Sequence, residues 1–228
     1  EGSAKELDVP ILTYRSFFRP DGEGLLSDQV LWNSTKNQKV VILGGGPSAC
    51  EMAHTLGKLN NQGRLLEITM IAPTILPQED VAARSFCRTV LQNLGIQLVL
   101  GQNAARLTTA TDNNNAKAAV VLEDNSSQVP VDLVICATGR APGANLEELQ
   151  LDQAGVEWSY KDGIMVNSRL QSISTKHVFA AGDCASAVPK NDRRAAHAGW
   201  TGYHSVQSAL FPRILTPRDC IHPVVPRV

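Results

Sequence analysis

Three small residues at fixed spacing carry the clearest chemistry in this chain. Gly44, Gly46 and Ala49 form a G-x-G-x-x-A pattern inside GGGPSACEMA. Gly44 permits a tight turn, Gly46 lets a phosphate group approach the main chain, and Ala49 is small enough for a helix to pack on the strand before it. Pro47 and Ser48 open that helix, where a missing proline N–H removes no hydrogen bond. The free N–H groups and partial positive charge of the helix start suit the pyrophosphate of a dinucleotide. Two carboxylates stand in related contexts. Glu51 lies one turn into the same helix. Asp183 follows Gly182 in HVFAAGDCA, at the end of an apolar run. A third glycine turn, Thr138-Gly139-Arg140, ends the run VDLVICA.

The elements that position these residues alternate in type. Val40–Leu43 is a short apolar run behind the polar stretch Lys36–Lys39, as in a strand buried on both faces of a parallel sheet. A helix is expected at Pro47–Leu59, a strand at Leu66–Ala72 and an amphipathic helix at Glu79–Leu94 capped by Gly95. A strand at Ile96–Leu100 follows. This β-α-β-α-β order requires a parallel sheet with right-handed crossovers, a Rossmann-like α/β domain. Arg106–Ala110 and Ala118–Leu122 flank the turn-rich DNNNAK and form a small antiparallel excursion, with another turn at Asp124–Gln128. Val131–Ala137 reads as a further buried strand. Beyond it, strands are expected at Ile164–Val166 and His177–Ala181 and a helix at Arg194–Leu210. A short strand at Ile11–Tyr14 and a short helix at 25–33 carry no chemical signal.

Composition narrows the classes. The chain has 228 residues and a formal net charge of −1, without a long charge run, so no nucleic-acid footprint is expected. No apolar run approaches the length of a membrane span. The opening EGSAKELD is not a signal peptide, and the absence of an initial Met suggests an excised or processed piece. The five cysteines are odd in number and show no metal-type spacing, which favours reduced, mostly buried thiols in an intracellular protein. Cys50 and Cys184 flank the two motifs, neither with a partner cysteine in sequence, and are read as buried, inert thiols. Trp200 and Tyr203 are read as packing residues. His54 and His197 are not credible general bases, and no metal site is expected.

The order of GGGPSACEMA, ICATGRAPGANL and HVFAAGDCA resembles the flavin-dependent pyridine nucleotide–disulfide oxidoreductases, most closely their mercuric reductase and dihydrolipoamide dehydrogenase branch. The similarity runs over nearly all of residues 8–228. It implies an NAD(P)-binding domain inserted into a split FAD-binding domain. Residues 1–35 then resemble the segment leaving the first flavin half, 36–138 the NAD(P) domain, 139–211 the second flavin segment, and 212–228 a tail leading toward a dimerisation domain. The resemblance implies a portion of a larger enzyme, a homo-oligomer when intact. In that enzyme hydride passes from NAD(P)H to FAD, and on to a disulfide, metal or quinone. Two alternatives stay open: a non-catalytic nucleotide-binding module, and a fragment of a type II NADH dehydrogenase-like enzyme.

The resemblance also implies roles. Gly44, Gly46, Pro47, Ser48 and Ala49 would hold the pyridine nucleotide's pyrophosphate. Glu51 would stand near the nicotinamide, and Thr138, Gly139 and Arg140 beside the dinucleotide. Gly182 and Asp183 would face the flavin's ribityl chain. Ala195, Ala196 and His197 would open a helix aimed at the isoalloxazine. FAD itself would be held only together with the rest of the enzyme. Ala72 stands at the strand end where an acid would read the 2′-hydroxyl of NAD. Its lack of charge leans toward NADP, although no arginine replaces the acid. No residue of this chain is assigned as catalytic.

Overall fold

The computed structural model describes residues 9–17, 37–60, 66–109, 116, 118–125, 127–139, 141, 146–186 and 195–211. The chain divides into two compact units, Glu1–Gly139 and Arg140–Val228. The expected helix at 25–33, the DNNNAK turn and the tail from 212 lie outside the described residues.

The first unit is built on a five-stranded parallel sheet. Its strands are β1 (Ile11–Thr13), β2 (Gln38–Leu43), β3 (Leu66–Ala72), β4 (Gln97–Leu100) and β8 (Leu133–Cys136), in the order β1-β8-β2-β3-β4. The short α1 (Tyr14–Phe17) follows β1, and α2 (Pro47–Asn60) and α3 (Val81–Asn93) supply the two crossovers between β2 and β4. In register, Val40 stands between Ile68 and Leu133, and Ile42 between Met70 and Ile135. Those side chains face α2, which buries Ala49, Met52, Ala53 and Leu56, the i, i+3, i+4, i+7 stripe of an amphipathic helix. The alternate side chains Val41, Ile71 and Val134 face a second core. This is why VVIL is apolar at every position, since both faces of its strand are covered.

That second core is closed by an antiparallel sheet of β5 (Ala104–Thr109), β6 (Ala118–Leu122) and β7 (Gln128–Val131). β6 is buried along its whole length. The sheet has an unexpected third strand, which starts at the last residue of the expected turn Asp124–Gln128 and takes in the first residue of the strand expected at Val131–Ala137. The run VPVDLVIC splits at Asp132: Val131 pairs antiparallel with Ala118, while Leu133 pairs in parallel with Val40. Asp132 fastens the switch, its main-chain N–H donating to the Lys39 carbonyl (2.8 Å) and its carboxylate accepting from the Lys39 N–H (3.0 Å). Pro130 is tolerated because β7 is an edge strand.

α3 begins two residues later than expected because Asp80 caps it, the carboxylate accepting from the Ala83 N–H at 2.7 Å. Gly95, at φ +78°, ends that segment in a left-handed conformation.

The second unit holds a small core of Leu146, Val156, Ile164, Ala180 and Ala185. Around it lie a two-stranded ribbon of β9 (Trp158–Ser159) and β10 (Gly163–Ile164), and α4 (Ala195–Leu210). The strand expected at His177–Ala181 is reduced to a single bridge between Phe179 and Gln171, and the chain then enters a 3-10 turn at Gly182–Cys184. Trp200 and Tyr203 are exposed rather than packed inside. They meet the buried His204 ring edge-on, with centroids 4.3 and 5.4 Å away.

Candidate functional site: a glycine-lined groove at the strand ends

The C-terminal ends of β2, β3 and β8 open onto a groove of about 550 Å³, lined by Leu43 to Gly46, Ile71, Pro73, Thr74 and Ala137 to Gly139, among others. In open α/β sheets this is where ligands sit. The turn after β2 is pinned on two sides. The Gly44 N–H donates to the Ile71 carbonyl (2.9 Å), and the Ala137 N–H to the Leu43 carbonyl (2.8 Å). The loop after β3 folds back over it, with the Leu76 N–H donating to the Gly45 carbonyl at 2.7 Å.

The glycines of the turn differ in what surrounds them. Gly44 has φ +119°, and a Cβ there would run into the Ala137 carbonyl. A Cβ on Gly45 would run into the Thr74 carbonyl. Gly46 has nothing within 4 Å of where a Cβ would be, so its free side belongs to the groove. Gly46 also precedes α2, its carbonyl accepting the Cys50 N–H at 3.1 Å. The first N–H groups of any helix have no partner inside it. Those of Ser48 and Ala49 therefore face the end of α2 that carries partial positive charge. Pro47 is exposed and Ser48 half-buried, whereas Ala49 is buried against the sheet.

Other predicted residues fall around this groove. Ala72 ends β3, buried beside the glycine turn. Thr138 and Gly139 line the groove and are exposed. Glu51 is exposed on α2. Arg140 lies outside the described residues. Among the described residues, none of the side chains that line the groove carries a charge; the polar ones include Thr74, Gln78 and Asn103.

Gly182 and Asp183 belong to the second unit. Gly182 is buried at φ +73°, and its N–H donates to Thr201 Oγ1 on α4 at 2.9 Å. Asp183 is exposed at the head of that 3-10 turn. Ala195, Ala196 and His197 form the first turn of α4, and their side chains lie outside the described ones.

Burial of Cys50 and Cys184 agrees with their reading as inert thiols, but Cys50 has a thiol neighbour: Cys87 on α3 packs on the same core and bears on it electrostatically. Burial, with Cys87 beside it, pushes the Cys50 thiol up to about 12. Burial also raises Cys184, whose sulfur donates to the Ala181 carbonyl at 3.2 Å. The signal for the Cys50–Cys87 contact was present in part. Both residues fall on core-facing stripes of helices that lie on one face of the sheet.

The family model described as pyridine nucleotide-disulphide oxidoreductase matches residues 19–209. The chain belongs to that family. A dihydrolipoyl dehydrogenase of Bacillus subtilis (strain 168) is 31% identical over 170 residues, which cover 74% of this chain and 34% of that protein. A mercuric reductase of Shewanella putrefaciens is 28% identical over 205 residues, 83% of this chain and 34% of the relative. The chain spans about a third of the length of these two relatives. Among solved structures, the Cu(II) complex of the HOCl-induced flavoprotein disulfide reductase RclA from Escherichia coli has the same fold. Its TM-score is 0.62 at 19% identity, over 96% of this chain and 45% of that one. Members of the family use FAD and NAD(P)H. Among the described residues, no helix is long and apolar enough to cross a membrane.

Proposed function

We propose that this chain is the pyridine-nucleotide-binding and partial flavin-binding portion of an FAD-dependent oxidoreductase. The bound cofactors supply hydride transfer, from reduced nicotinamide to flavin and on to a disulfide, metal or quinone acceptor. The chain's own residues bind and orient. The observation that carries the reading is the open side of Gly46 at the start of α2, within a groove at the strand ends. There the pyrophosphate can lie against main-chain N–H groups and the helix end, with Pro47, Ser48 and Ala49 forming the first turn. Glu51 stands one turn further along α2, Thr138 and Gly139 belong to the rim formed by β8, and Arg140 is assigned beside the dinucleotide by the family resemblance. Gly182, Asp183 and the first turn of α4 (Ala195, Ala196 and His197) are assigned to the flavin of the intact enzyme.

Residues 36–138 form the NAD(P) domain in this reading, with 1–35 and 139–211 as the flanking flavin segments and 212–228 leading toward a dimerisation domain. The lack of charge along the groove, Ala72 included, leaves nothing to repel a 2′-phosphate, so NADPH is preferred to NADH. Calorimetric titration with each nucleotide tests the assignment. The unmodified chain should release binding heat that Gly46→Val abolishes, because a branched side chain would fill the space left for the pyrophosphate. Equal binding by that variant, or no binding by the parent chain, removes the site.

A further inference from the structure

Two thiols in the core behind the glycine turn are not used by the proposed hydride chemistry. Cys50 lies in the first turn of α2, directly after the glycine turn, and is buried. Its S–H donates to the carbonyl of Gly45 at 3.7 Å. That carbonyl also accepts the Leu76 N–H, so the thiol is one of two donors holding the centre of the turn. Cys87 sits mid-way along α3, half-buried, and packs on the same core as Cys50, close enough for the two thiols to bear on each other electrostatically. Both are reduced. Among the described residues the other cysteines have different partners. Cys136 meets the Thr138 hydroxyl at 3.7 Å, and Cys184 the Ala181 carbonyl.

We propose that Cys50 and Cys87 are an oxidisable dithiol that closes into a disulfide bridging α2 and α3. The unequal exposure of the two thiols sets the order of events. The Cys87 thiolate, reachable from solvent, attacks a low-molecular-weight disulfide. One S–S bond breaks, a mixed disulfide forms on Cys87, and one thiolate leaves. Cys50 then gives up its proton and attacks the Cys87 sulfur, expelling the second thiolate. Two protein thiols are oxidised by two electrons, and one small disulfide is reduced to two thiols. Burial keeps Cys50 protonated, which suits its bond to Gly45 and makes the closing step slow rather than forbidden. Closure removes the S–H donor from Gly45 and ties the first turn of α2 to its neighbour, so the oxidation state is written into the main chain of the glycine turn.

The test uses the full chain and oxidised glutathione at pH 8. Remaining thiols are then blocked, and the protein is digested with trypsin without reduction. The expected product joins the peptide Val40–Lys58 to the peptide Ser85–Arg88 in most molecules, and reduction separates them. Cys50→Ser should instead accumulate a stable glutathione adduct on Cys87. Cys87→Ser should leave Cys50 free. A parent chain that keeps glutathione on Cys87 with Cys50 unlinked overturns the proposal, as does one in which neither thiol reacts. Peptide masses report the result, so failure here is separate from failure of the nucleotide reading.

Discussion

Replacing Gly44 and Gly46 separately by alanine should split stability from binding, because the two glycines are needed for different physical reasons. At Gly44 the main chain holds φ +119°, a region that alanine enters at a cost of about 1–3 kcal/mol. The added methyl must also push against the carbonyl of Ala137, part of the connection that holds β8 beside β2. A total loss of about 2–4 kcal/mol follows. For a domain of this size that lowers the melting temperature by roughly 6–15 °C. Gly46 has open space around it, and its φ is not in the positive region. Alanine there loses some helix-capping preference and gains through a less flexible unfolded chain, two terms that nearly cancel within about 1 kcal/mol. Its methyl, however, stands where the pyrophosphate would approach. Losing one charge-assisted hydrogen bond costs about 1.5–3 kcal/mol, or roughly 10- to 150-fold in affinity. Thermal unfolding by circular dichroism and calorimetric titration with NADPH read the two effects. A Gly46→Ala chain that binds as well as its parent would refute the placement of the ligand. A Gly44→Ala chain that melts with its parent would refute the close-approach argument.

Three further outcomes are expected. Pro73→Glu places a carboxylate on the exposed groove lining beside Ala72. At about 6 Å in water it opposes a doubly charged 2′-phosphate by about 1.4 kcal/mol, so the NADPH/NADH affinity ratio should fall roughly tenfold, and an unchanged ratio puts the 2′ position elsewhere. Asp80→Ala removes the cap that accepts from the Ala83 N–H and should cost about 1 kcal/mol in urea unfolding, with no change in nucleotide affinity. The isolated 228-residue chain should show no flavin absorbance after purification, because its one glycine fingerprint is assigned to the pyridine nucleotide; a yellow preparation with stoichiometric FAD contradicts that assignment.

Much of the fold was legible because burial on both faces leaves an unmistakable trace. VVIL in β2 and AAVVL in β6 are apolar throughout, and Gly95 closes α3 with ordinary capping chemistry, whereas the Asp80 cap at its start went unread. The misses share a cause, since each depends on what a segment meets in three dimensions. β7 was not expected, and it accommodates Pro130 because it lies at the edge of its sheet and needs fewer N–H donors. The apolar run His177–Ala181 looked like a strand, but its main chain finds one bridge partner in Gln171. Trp200 and Tyr203, read as packing residues, do meet the His204 ring but stay exposed, while α4 buries Thr201, His204 and Ser208. The Cys50–Cys87 contact could not be read from spacing, because it depends on two crossover helices packing side by side.

The candidate groove was legible to the extent that main chain, rather than side chain, lines it. Gly44, Gly46, Thr138 and Gly139 offer almost no side-chain chemistry, and the groove they line has no charged side chain among the described residues. What they offer is room: a turn tight enough to sit under β8, an open side at Gly46, and a helix end left free to face a phosphate. A glycine pattern records such space directly, because any larger residue would close it. The rest of the groove's lining comes from groups brought in from elsewhere, such as Gln78 and Asn103 on the loops after β3 and β4. No short motif marks those two residues. Their place follows from the sheet order, which sets β4 beside β3 and so carries Asn103 to the far rim of the groove.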